Sequence, residues 1–334
     1  MCLHSVTSEA HLARLFNIGS LCVDHIYRVP SLVIAGQTIA CSSERLVPGG
    51  KGLNQSIAAA QAGASVCHFG AVGGDGDMLV DVLQRFCGDA GSVLRLDGQS
   101  GQAVIQVDDQ GQNAIVISAG ANRRLPEDLL SAAVAAMAPD DWLLLQNETN
   151  GVAEVIRMAK AKQLSVAVNL APFDASCLDL PLELVDLLIV NEAEAAGLAG
   201  LPVPTESTAT TVAASAAHAN ELAAKEQAIF AALVAKLPKV CLIMTLGARG
   251  ALSQSPGDPE LMRHAAISVE AVDETAAGDT FVGFLMAELL IGTGMLAAIE
   301  LASVAGALAV TRSGAAESIP SRAEVVAEIA RRGV

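Results

Sequence analysis

Small residues and carboxylates meet in one stretch of the sequence, EAVDETAAGDTFVGFL (270–285). The pattern predicts a strand at VEAV (269–272), a turn at TAAG (275–278) and an apolar helix after it. Such a turn lets a ligand approach the backbone, and the N–H groups and positive dipole end of the following helix attract an anion. Asp279 is then either an N-cap or first-turn acid that stabilises the helix by roughly 1 kcal/mol, or a base that accepts a proton from an attacking hydroxyl.

A second turn of this kind is VPGGKGLNQSIAAAQAG (47–63), where glycines precede a predicted Ala-rich helix. It is not a Walker A loop, because no glycine lies five residues before Gly50 and Lys51 is followed by glycine rather than serine or threonine. No GxGxxG motif follows the first predicted strand, so a dinucleotide site is not indicated. The turn could be purely structural, but the polar pair Lys51 and Asn54 on an apolar chain favours recognition of ligand hydroxyls.

Three further motifs lie at the ends of predicted strands. Asp24 ends the strand predicted in FNIGSLCVDHI (16–26) and is either a satisfied structural group or a bidentate acceptor for ligand hydroxyls. Asn191 and Glu194 follow LLIVN directly and share one face of the next helical turn, which is either a solvated first turn or a site that positions Mg²⁺-bound water and phosphate. TLGARG (245–250) places glycines where a nucleotide can approach closely.

The elements that carry these motifs alternate between short apolar strands and Ala-rich helices, which predicts a parallel sheet with helices on both faces. AVIQVDDQGQNAIVIS (103–118) breaks the rhythm and predicts an antiparallel hairpin around a polar turn. PVPTESTATTVAASAAHANELAAKE (202–226) is interpreted as a surface insertion with a solvated helix and no chemistry. The predicted buried strands are SVCHFGAV (65–72), WLLLQ (142–146), SVAVNL (165–170), LLIVN (187–191) and VCLIMTLG (240–247).

Composition narrows the class of protein. The 334 residues are 52% hydrophobic, enough for a large core. A formal net charge of −16 disfavours a nucleic-acid partner, so any polyphosphate must be bound by backbone amides, helix N-termini, a few basic groups and metal ions. The seven cysteines form no CxxC or Cys/His cluster, so neither disulfides nor zinc are predicted. No apolar run suits a membrane span and no secretory signal is evident, so we expect a cytoplasmic protein without a membrane partner.

The order of the motifs resembles the ribokinase (PfkB) family of sugar and nucleoside kinases over residues 15–332. The resemblance implies a ribokinase-like three-layer α/β/α fold, with a mostly parallel central sheet and a small β lid. It also implies an ATP-dependent kinase that phosphorylates the primary hydroxyl of a pentose. Nine matches occur in order: IGSxxxDHI, GGKGxNQ, SAGAN (118–122), QxE (146–148), NxAP (169–172), NExEA (191–195), TLGxRG, AAGDTF and AVTRxGA…SIP (309–320).

The resemblance assigns roles to the residues of these motifs. Asp279 would be the catalytic base, and the anion hole for the transferred phosphoryl group would be formed by Ala276, Ala277 and Gly278. The sugar would be bound by Cys22, Asp24, Gly50, Lys51, Gly52, Asn54 and Glu148. Mg²⁺–ATP would be bound by Asn191, Glu194, Thr245, Gly247, Arg249, Gly250 and Ser303.

The resemblance also implies a monovalent cation, K⁺, beside the anion hole. Its ligands, several of them backbone carbonyls, would come from Asp273, Thr275, Ala309, Arg312, Gly314 and Ser318. The kinase domain would span residues 15–334 after an N-terminal tail at 1–14. Lid segments at about 27–46 and 99–120 would close over the sugar, and because lid strands often pair between subunits a homodimer is expected.

Departures from the family pattern concern the sugar more than the transfer step. Cys22 stands where the family has Asn, Gln37 replaces a Glu in the lid and Leu79 replaces a Gly. Conversion of D-ribose to ribose 5-phosphate is the expected reaction, with another sugar or a nucleoside as alternatives. A nucleoside is disfavoured because Tyr27 is the one aromatic residue of the first lid segment. A non-catalytic sugar- or nucleoside-binding sensor is disfavoured by Asp279 beside Gly278.

Overall fold

The computed structural model describes residues 12–204 and 216–333, so most of the predicted tail and much of the predicted insertion lie outside the described residues. Thirteen strands are found in these two ranges. They are β1 (Arg14–Ile18), β2 (Cys22–Arg28), β3 (Ser43–Gly49), β4 (Ser65–Val72), β5 (Val93–Arg95), β6 (Gly101–Val107), β7 (Asn113–Ser118), β8 (Trp142–Gln146), β9 (Ser165–Asn169), β10 (Leu187–Asn191), β11 (Cys241–Thr245), β12 (Ala251–Gln254) and β13 (Met262–His264).

Nine α-helices are described between and after these strands. They are α1 (Lys51–Gln61), α2 (Asp77–Cys87), α3 (Glu127–Ala135), α4 (Val152–Ala161), α5 (Glu192–Ala199), α6 (Ala216–Lys236), α7 (Ala277–Leu290), α8 (Met295–Ala309) and α9 (Arg322–Arg332).

The central sheet has nine strands in the order β13-β12-β11-β10-β9-β8-β1-β4-β5. The seven strands from β11 to β5 are parallel, and β12 pairs antiparallel with β11. Consecutive residues of each parallel strand face opposite sides of the sheet, which is why both sides need apolar side chains. The five predicted buried strands are confirmed, with ends that differ by at most two residues.

Helices cover both faces of this sheet. Leu143 and Leu145 of β8 pack with α3, α4, α5 and α6 on one side, whereas Leu144 between them packs with α1, α2, α7 and α8 on the other. Each side is thus a separate apolar core, and the helices form the two outer layers. The predicted three-layer α/β/α fold with a mostly parallel sheet is confirmed.

A second, smaller sheet has the order β3-β2-β6-β7. β6 and β7 form the antiparallel hairpin predicted at 103–118, and β2 pairs in parallel with β6. The single strand predicted at 16–26 is wrong, because the chain leaves the central sheet after Ile18 and enters the smaller sheet at Cys22. Gly19 makes this crossing possible, since a Cβ there would lie 2.6 Å from Gly52 Cα. Asp24 is therefore the third residue of β2 and does not end a core strand.

One other prediction is corrected by the fold. The strand predicted at VEAV (269–272) is wrong: this segment joins no sheet, and the N–H groups of Val272 and Asp273 donate to Val310 O at 2.7 and 3.1 Å. The solvated helix predicted within 202–226 corresponds to the start of α6, where residues 220, 221, 224 and 225 are exposed and Glu226 is 1% exposed. Ile229 and Phe230, beyond the predicted segment, lie in the core.

Close packing of α1 against α7 sets the position of the predicted base. Gly283 lies one turn after Asp279, and a Cβ there would be 2.4 Å from Ala58 Cβ and 2.7 Å from the backbone of Gln55. The two helices can approach this closely because Gly283 has no side chain. The first turn of α7 is thereby held against the first turn of α1.

Candidate active site

Asp279 is buried in the first turn of α7, 8% exposed, and its carboxylate is bound by α1 rather than by its own helix. Asn54 Nδ2 donates to Oδ2 at 3.0 Å, and Gln55 Nε2 donates to Oδ1 at 2.9 Å. The N-cap of α7 is Ala276, which makes no side-chain capping bond. Asp279 is therefore a first-turn acid of α7 and not its N-cap, and its two oxygens are fixed by side chains of the GGKGxNQ segment.

The turn before Asp279 presents backbone donors to an open space. Ala276 has φ +60° and ψ +8°, and α7 begins at Ala277, whose N–H donates weakly to Glu274 O at 3.3 Å. A Cβ placed on Gly278 would meet no atom within 4 Å. The N–H groups of Gly278 and Asp279 belong to the first helical turn, which has no internal acceptors. This turn can bind an anion.

The start of α1 requires glycine on both sides of Lys51. Gly50 is the N-cap with φ +101°, a backbone conformation that favours glycine. A Cβ on Gly52 would lie 2.3 Å from Ser20 N. The helix therefore begins directly over the β1–β2 crossing, where Lys51 N donates to Glu148 Oε2 at 3.1 Å and Ser20 Oγ donates to the same oxygen.

The side chain of Lys51 connects four of the motifs. The negative charge of Asp279 raises the pKa of Lys51, burial opposes this effect, and the charges of Glu148 and Glu194 add to the rise. Burial raises the pKa of Glu148 in turn, against the charge of Lys51 and the hydrogen bond from Ser20. The charges of carboxylates from the QxE, NxxE and AAGD motifs therefore all act on the Lys51 ammonium group.

Asp24 and Cys22 face this cluster from β2. Burial, followed by the charges of Glu148 and Asp279, raises the pKa of Asp24 to about 7. A Cβ on Gly49 would lie 2.1 Å from Asp24 Oδ2, so glycine at this position of β3 leaves room for the Asp24 carboxyl group in its present orientation. Within the described ranges no protein group donates a hydrogen bond to the Asp24 carboxylate, which leaves its oxygens for a ligand.

Cys22 is 6% exposed and accepts a hydrogen bond from Asn122 Nδ2 at 3.4 Å. Burial raises the pKa of its thiol, and the charges of Glu148 and Asp24 raise it further. The thiol is therefore neutral and unreactive at physiological pH. A thiol is also a weak hydrogen-bond partner, so Cys22 offers a ligand less than a side-chain amide would.

Asn191 and Glu194 form a capping box at the start of α5. Glu194 N donates to Asn191 Oδ1 and Asn191 N donates to Glu194 Oε2, both at 2.8 Å. Glu194 is nevertheless 6% exposed, and burial raises its pKa to about 7 against the hydrogen bond from Asn191 and the charge of Lys51. The interpretation as a solvated first turn is wrong for Glu194, whose carboxyl lies within the charge field of Lys51.

The TLGARG turn follows β11. Gly247 has φ +57° with open space before it, whereas a Cβ on Gly250 would lie 1.9 Å from His264 O. Arg249 is bound to Glu226, with Nε 2.7 Å from Oε1, and to Glu192 at the start of α5. Thr245 Oγ1 lies 3.4 Å from Val190 O. The turn is thus tied to α5 and α6, and Gly247 leaves room for a nucleotide.

Ser303 is the predicted nucleotide residue that the structure does not connect to the others. It lies in the middle of α8, and its Oγ donates to Ile299 O of the same helix at 2.7 Å. A hydrogen bond of this kind, from the hydroxyl to the carbonyl of the preceding turn, is common for a serine within a helix.

The predicted cation residues lie where the loop after α8 meets the loop before α7. Asp273 Oδ2 accepts from Gly314 N at 3.0 Å, and Oδ1 accepts from Thr275 N at 3.0 Å. Partial burial would raise the pKa of Asp273, but the hydrogen bonds from Gly314 and Thr275 lower it below its usual value.

The other three predicted cation residues have different partners. Ala309 O accepts from Arg312 N at 3.1 Å, and Ser318 Oγ donates to Ala315 O at 2.8 Å. The Arg312 side chain points to Glu324 at 2.6 Å, so Arg312 could serve a cation only through its backbone.

The polar groups of the candidate site fit a bound nucleotide better than a metal ion that is coordinated by protein side chains alone. Open space faces Gly278, Gly247 and Gly314, as a phosphate or nucleotide requires. In the described part of the chain, no group of three His, Cys, Asp or Glu is arranged to hold a metal ion. Mg²⁺ would therefore be bound mainly by phosphate and water, which is its usual mode in phosphoryl transfer. None of the helices described is long and apolar enough to cross a bilayer.

Three polar residues of the site belong to motifs that the sequence displays but were not predicted to act there. Gln55 binds Asp279, Ser20 binds Glu148, and Asn122 binds Cys22 and the backbone of Leu21. They occur in GGKGxNQ, IGS and SAGAN, respectively. The motif letters could have identified them, but only their contacts reveal what they bind.

The sequence matches the pfkB family carbohydrate kinases over residues 12–322. The chain belongs to this family, as its motifs indicate, and it is a carbohydrate kinase with a ribokinase-like fold.

Relatives and solved structures agree with this assignment. The ribokinase of Haemophilus influenzae is 32% identical over 314 residues, which cover 92% of this chain and 96% of the relative. The ribokinase of Cryptococcus neoformans var. grubii serotype A in complex with ADP aligns with a TM-score of 0.81 at 30% identity, over 95% of this chain and 99% of the other. Arabidopsis thaliana ribokinase complexed with ribose and ATP aligns with a TM-score of 0.75 at 25% identity, over 95% and 98%.

Proposed function

We propose that this kinase transfers the γ-phosphoryl group of ATP to the primary hydroxyl of D-ribose and forms ribose 5-phosphate. The observation that carries the proposal is the position of Asp279, held by Asn54 and Gln55 beside the open turn at Gly278. Support for the substrates comes from the similar ribokinases, one of them solved with ribose and ATP and another with ADP.

In the proposed reaction the Asp279 carboxylate accepts the proton of the sugar's primary hydroxyl while the oxygen of that hydroxyl forms a bond to the γ-phosphorus. The bond between the γ-phosphorus and the oxygen of the leaving ADP breaks. N–H groups of the Gly278–Asp279 turn and the positive end of α7 stabilise the charge on the moving phosphoryl group. The chemistry requires positioning and charge stabilisation rather than a covalent intermediate, and this buried turn can supply both.

The sugar would lie between β2 and the start of α1. Asp24 and Glu148 have carboxylate oxygens that can accept from sugar hydroxyls, and Lys51 supplies a positive charge among them. Cys22, Gly50, Gly52 and Asn54 would line the same pocket. The nucleotide would lie over TLGARG, with Asn191 and Glu194 toward its phosphates and Ser303 at its outer side.

Mg²⁺ would neutralise charge on the nucleotide phosphates, and Glu194 is the buried carboxyl placed to orient its water shell. K⁺ would bind near Asp273, Thr275 and Gly314 and order the turn at Ala276 without touching the sugar. Activity measured in a buffer free of K⁺ and Na⁺, with and without added KCl, tests the second role. A lack of response would remove these residues from it.

The smaller sheet would act as the lid, through the segments at about 27–46 and 99–120, and would also pair two subunits. β7 is an edge strand whose six residues are all exposed, including Ile115, Val116 and Ile117. Leu46 of β3, the opposite edge strand, is 51% exposed. Exposed apolar edge strands are disfavoured on a monomer, so the lid surface fits a homodimer.

An ADP-release assay over a panel of pentoses, hexoses and nucleosides tests the proposal. D-Ribose should give the highest kcat/KM. A response to another sugar or to a nucleoside with none to ribose would overturn the substrate and leave the kinase assignment unchanged. Nucleosides are the weaker candidates because Tyr27 on β2 is the one ring that the lid segments offer for stacking on a base.

A further inference from the structure

Behind Asp279 lies a buried row of four side-chain amides, which we call the amide row: Asn17, Gln55, Gln146 and Asn169. Asn17, Gln55 and Gln146 have no exposed surface, and Asn169 is 8% exposed. The row crosses three adjacent parallel strands, with Asn17 on β1, Gln146 at the end of β8 and its register partner Asn169 at the end of β9. It reaches the predicted base through Gln55 of α1.

Hydrogen bonds fix the orientation of Gln55 completely. Its Oε1 accepts from Gln146 Nε2 at 2.8 Å, and its Nε2 donates to Asn169 Oδ1 at 2.8 Å and to Asp279 Oδ1 at 2.9 Å. Both N–H groups of Gln55 donate and its oxygen accepts. If the amide were flipped, the Gln55 oxygen would face the oxygens of Asn169 and Asp279, which are both acceptors.

The ends of the amide row are fixed by backbone carbonyls. Asn169 Nδ2 donates to Ile189 O at 3.2 Å, and Asn17 Nδ2 donates to Gly52 O at 2.9 Å. Gln146 Nε2 also donates to Asn17 Oδ1 at 3.0 Å. The backbone of the sheet and of α1 therefore sets which amide groups donate and which accept along the row. As a result, the row presents an N–H donor of Gln55 to Asp279.

We propose that Gln55 is a positioning residue, which the amide row holds so that it fixes the plane of the Asp279 carboxylate toward the substrate hydroxyl. This inference rests on the proposed function of Asp279 as the base. Asn54 alone holds only Oδ2, and a carboxylate with one donor can rotate about its side-chain bonds. The second donor on Oδ1 prevents this rotation, and an error of about 1 Å in the position of a catalytic group can cost on the order of 10²-fold in rate.

A purely structural role is the alternative, because buried amides commonly satisfy one another and stabilise a core. The two roles differ in what the removal of the donor changes. Loss of positioning lowers kcat and leaves the binding of sugar and ATP nearly intact, whereas loss of core stability lowers the melting temperature and the active fraction.

Gln55→Met tests the proposal, because it keeps the length of the side chain and removes the donor to Asp279. We expect kcat to fall about 10–100-fold, with KM values for sugar and ATP changed less than about threefold. Ser253→Ala is the control. The hydroxyl of Ser253 is buried on β12 and bonds His264 Nε2 at 2.8 Å, outside the amide row, so its loss should affect stability more than kcat.

Gln55→Glu tests the donor itself through a pH profile, with kcat expressed per folded, active protein so that a change in stability does not enter the comparison. At pH 8 the introduced carboxylate faces Asp279 Oδ1 and should lower kcat at least as much as the methionine variant does. Protonation of the introduced group restores an O–H donor, so the ratio of variant to wild-type kcat should rise as the pH falls from 8 to 6. This measurement decides the matter even if Gln55→Met does not fold.

The results separate this inference from the function on which it rests. If the wild-type protein releases no ADP with any sugar, the proposed function fails. If the wild-type protein turns over and Gln55→Met retains its kcat, or if the Gln55→Glu ratio is independent of pH, the positioning role of Gln55 is overturned.

Discussion

Ala276 adopts φ +60° just before the helix that carries the proposed base, a left-handed conformation that glycine adopts at lower cost than alanine. Ala276→Gly should therefore raise the free energy of unfolding by about 0.5–1 kcal/mol, the relieved strain being partly offset by the greater freedom of the unfolded chain. Urea denaturation measures the change. Ala228→Gly is the control, since Ala228 is exposed in the middle of α6 and glycine there should lower the stability by a similar amount. If both variants raised the free energy of unfolding, or if both lowered it, the role of the turn would be contradicted.

Asp24 predicts a dependence of stability on pH. Its pKa is raised to about 7, so the folded protein holds a proton that the unfolded chain loses near pH 4. Ionisation of Asp24 therefore costs stability as the pH rises from 5 to 8. The free energy of unfolding of Asp24→Asn relative to wild type should increase over this range, by on the order of 2 kcal/mol.

Urea denaturation at several pH values, without ligands, measures this difference. Asp109→Asn replaces an exposed carboxylate in the turn of the β6–β7 hairpin and should show no comparable increase. A constant difference for Asp24→Asn would contradict the raised pKa.

At the residue scale the sequence identified Asp279, Lys51 and Glu194 but not what they contact. Position alone could not separate a helix cap from a base, because both need an acid in the first turn. The decisive facts are tertiary: α1 supplies the donors to Asp279, and these come from residues more than 200 positions away. Gln55 was missed for the same reason.

At the scale of elements, α6 is tied to the TLGARG turn, the proposed nucleotide site. Glu226 on this helix is 1% exposed and binds both Arg249 of TLGARG and Arg263 of β13. Glu226→Gln should raise KM for ATP about 3–10-fold because Arg249 and the turn lose an anchor, while KM for the sugar stays nearly constant. It should also lower the free energy of unfolding by about 1–2 kcal/mol, since the buried Glu226 carboxylate loses charge-assisted hydrogen bonds to two arginines that are themselves 31% and 39% exposed.

Steady-state kinetics with each substrate varied in turn measures the KM values, and urea denaturation measures the stability. Glu221→Gln is the matched control, because it makes the same change at an exposed position of the same helix, where Glu221 pairs with Lys225. An equal effect of both variants, or a rise in KM for the sugar alone, would count against this role of α6.

Strands and hairpins were predicted correctly where the hydrophobic pattern of a segment matches the neighbours that it packs against. They were predicted less well elsewhere. The five core strands and the β6–β7 hairpin follow from their apolar periods. The strand predicted at 269–272 failed because an alternating pattern cannot reveal that its N–H groups meet the turn at Val310 instead of a neighbouring strand. The break at Gly19 was missed because the glycine is required by its contact with Gly52, far along the chain.

At the scale of the whole molecule, the proposed lid predicts assembly into a homodimer. If two subunits pair through the exposed face of β7, Ile115→Glu should convert the dimer to a monomer, since a charge in an apolar interface lacks a partner. Sedimentation velocity at micromolar concentrations measures the change. Leu178→Glu is the control, because this leucine is also exposed but lies on a different part of the surface. A wild-type monomer would contradict the prediction.

The fold class followed from the sequence because strand–helix alternation and motif order constrain the whole chain. The choice of sugar did not follow, because it depends on how the few side chains around Cys22 and Asp24 present their atoms. Cys22 accepts a hydrogen bond from Asn122, and no pattern in the sequence predicts this contact.

The central claim is that Asp279 is the base of a phosphoryl transfer. Asp279→Asn removes the proton acceptor and keeps the size of the side chain, so ADP release with D-ribose should fall by about 10²–10⁴-fold. Binding of ATP and of ribose, measured by calorimetry on the same variant, should remain within a few-fold of wild type. Turnover at the wild-type rate in this variant would contradict the account.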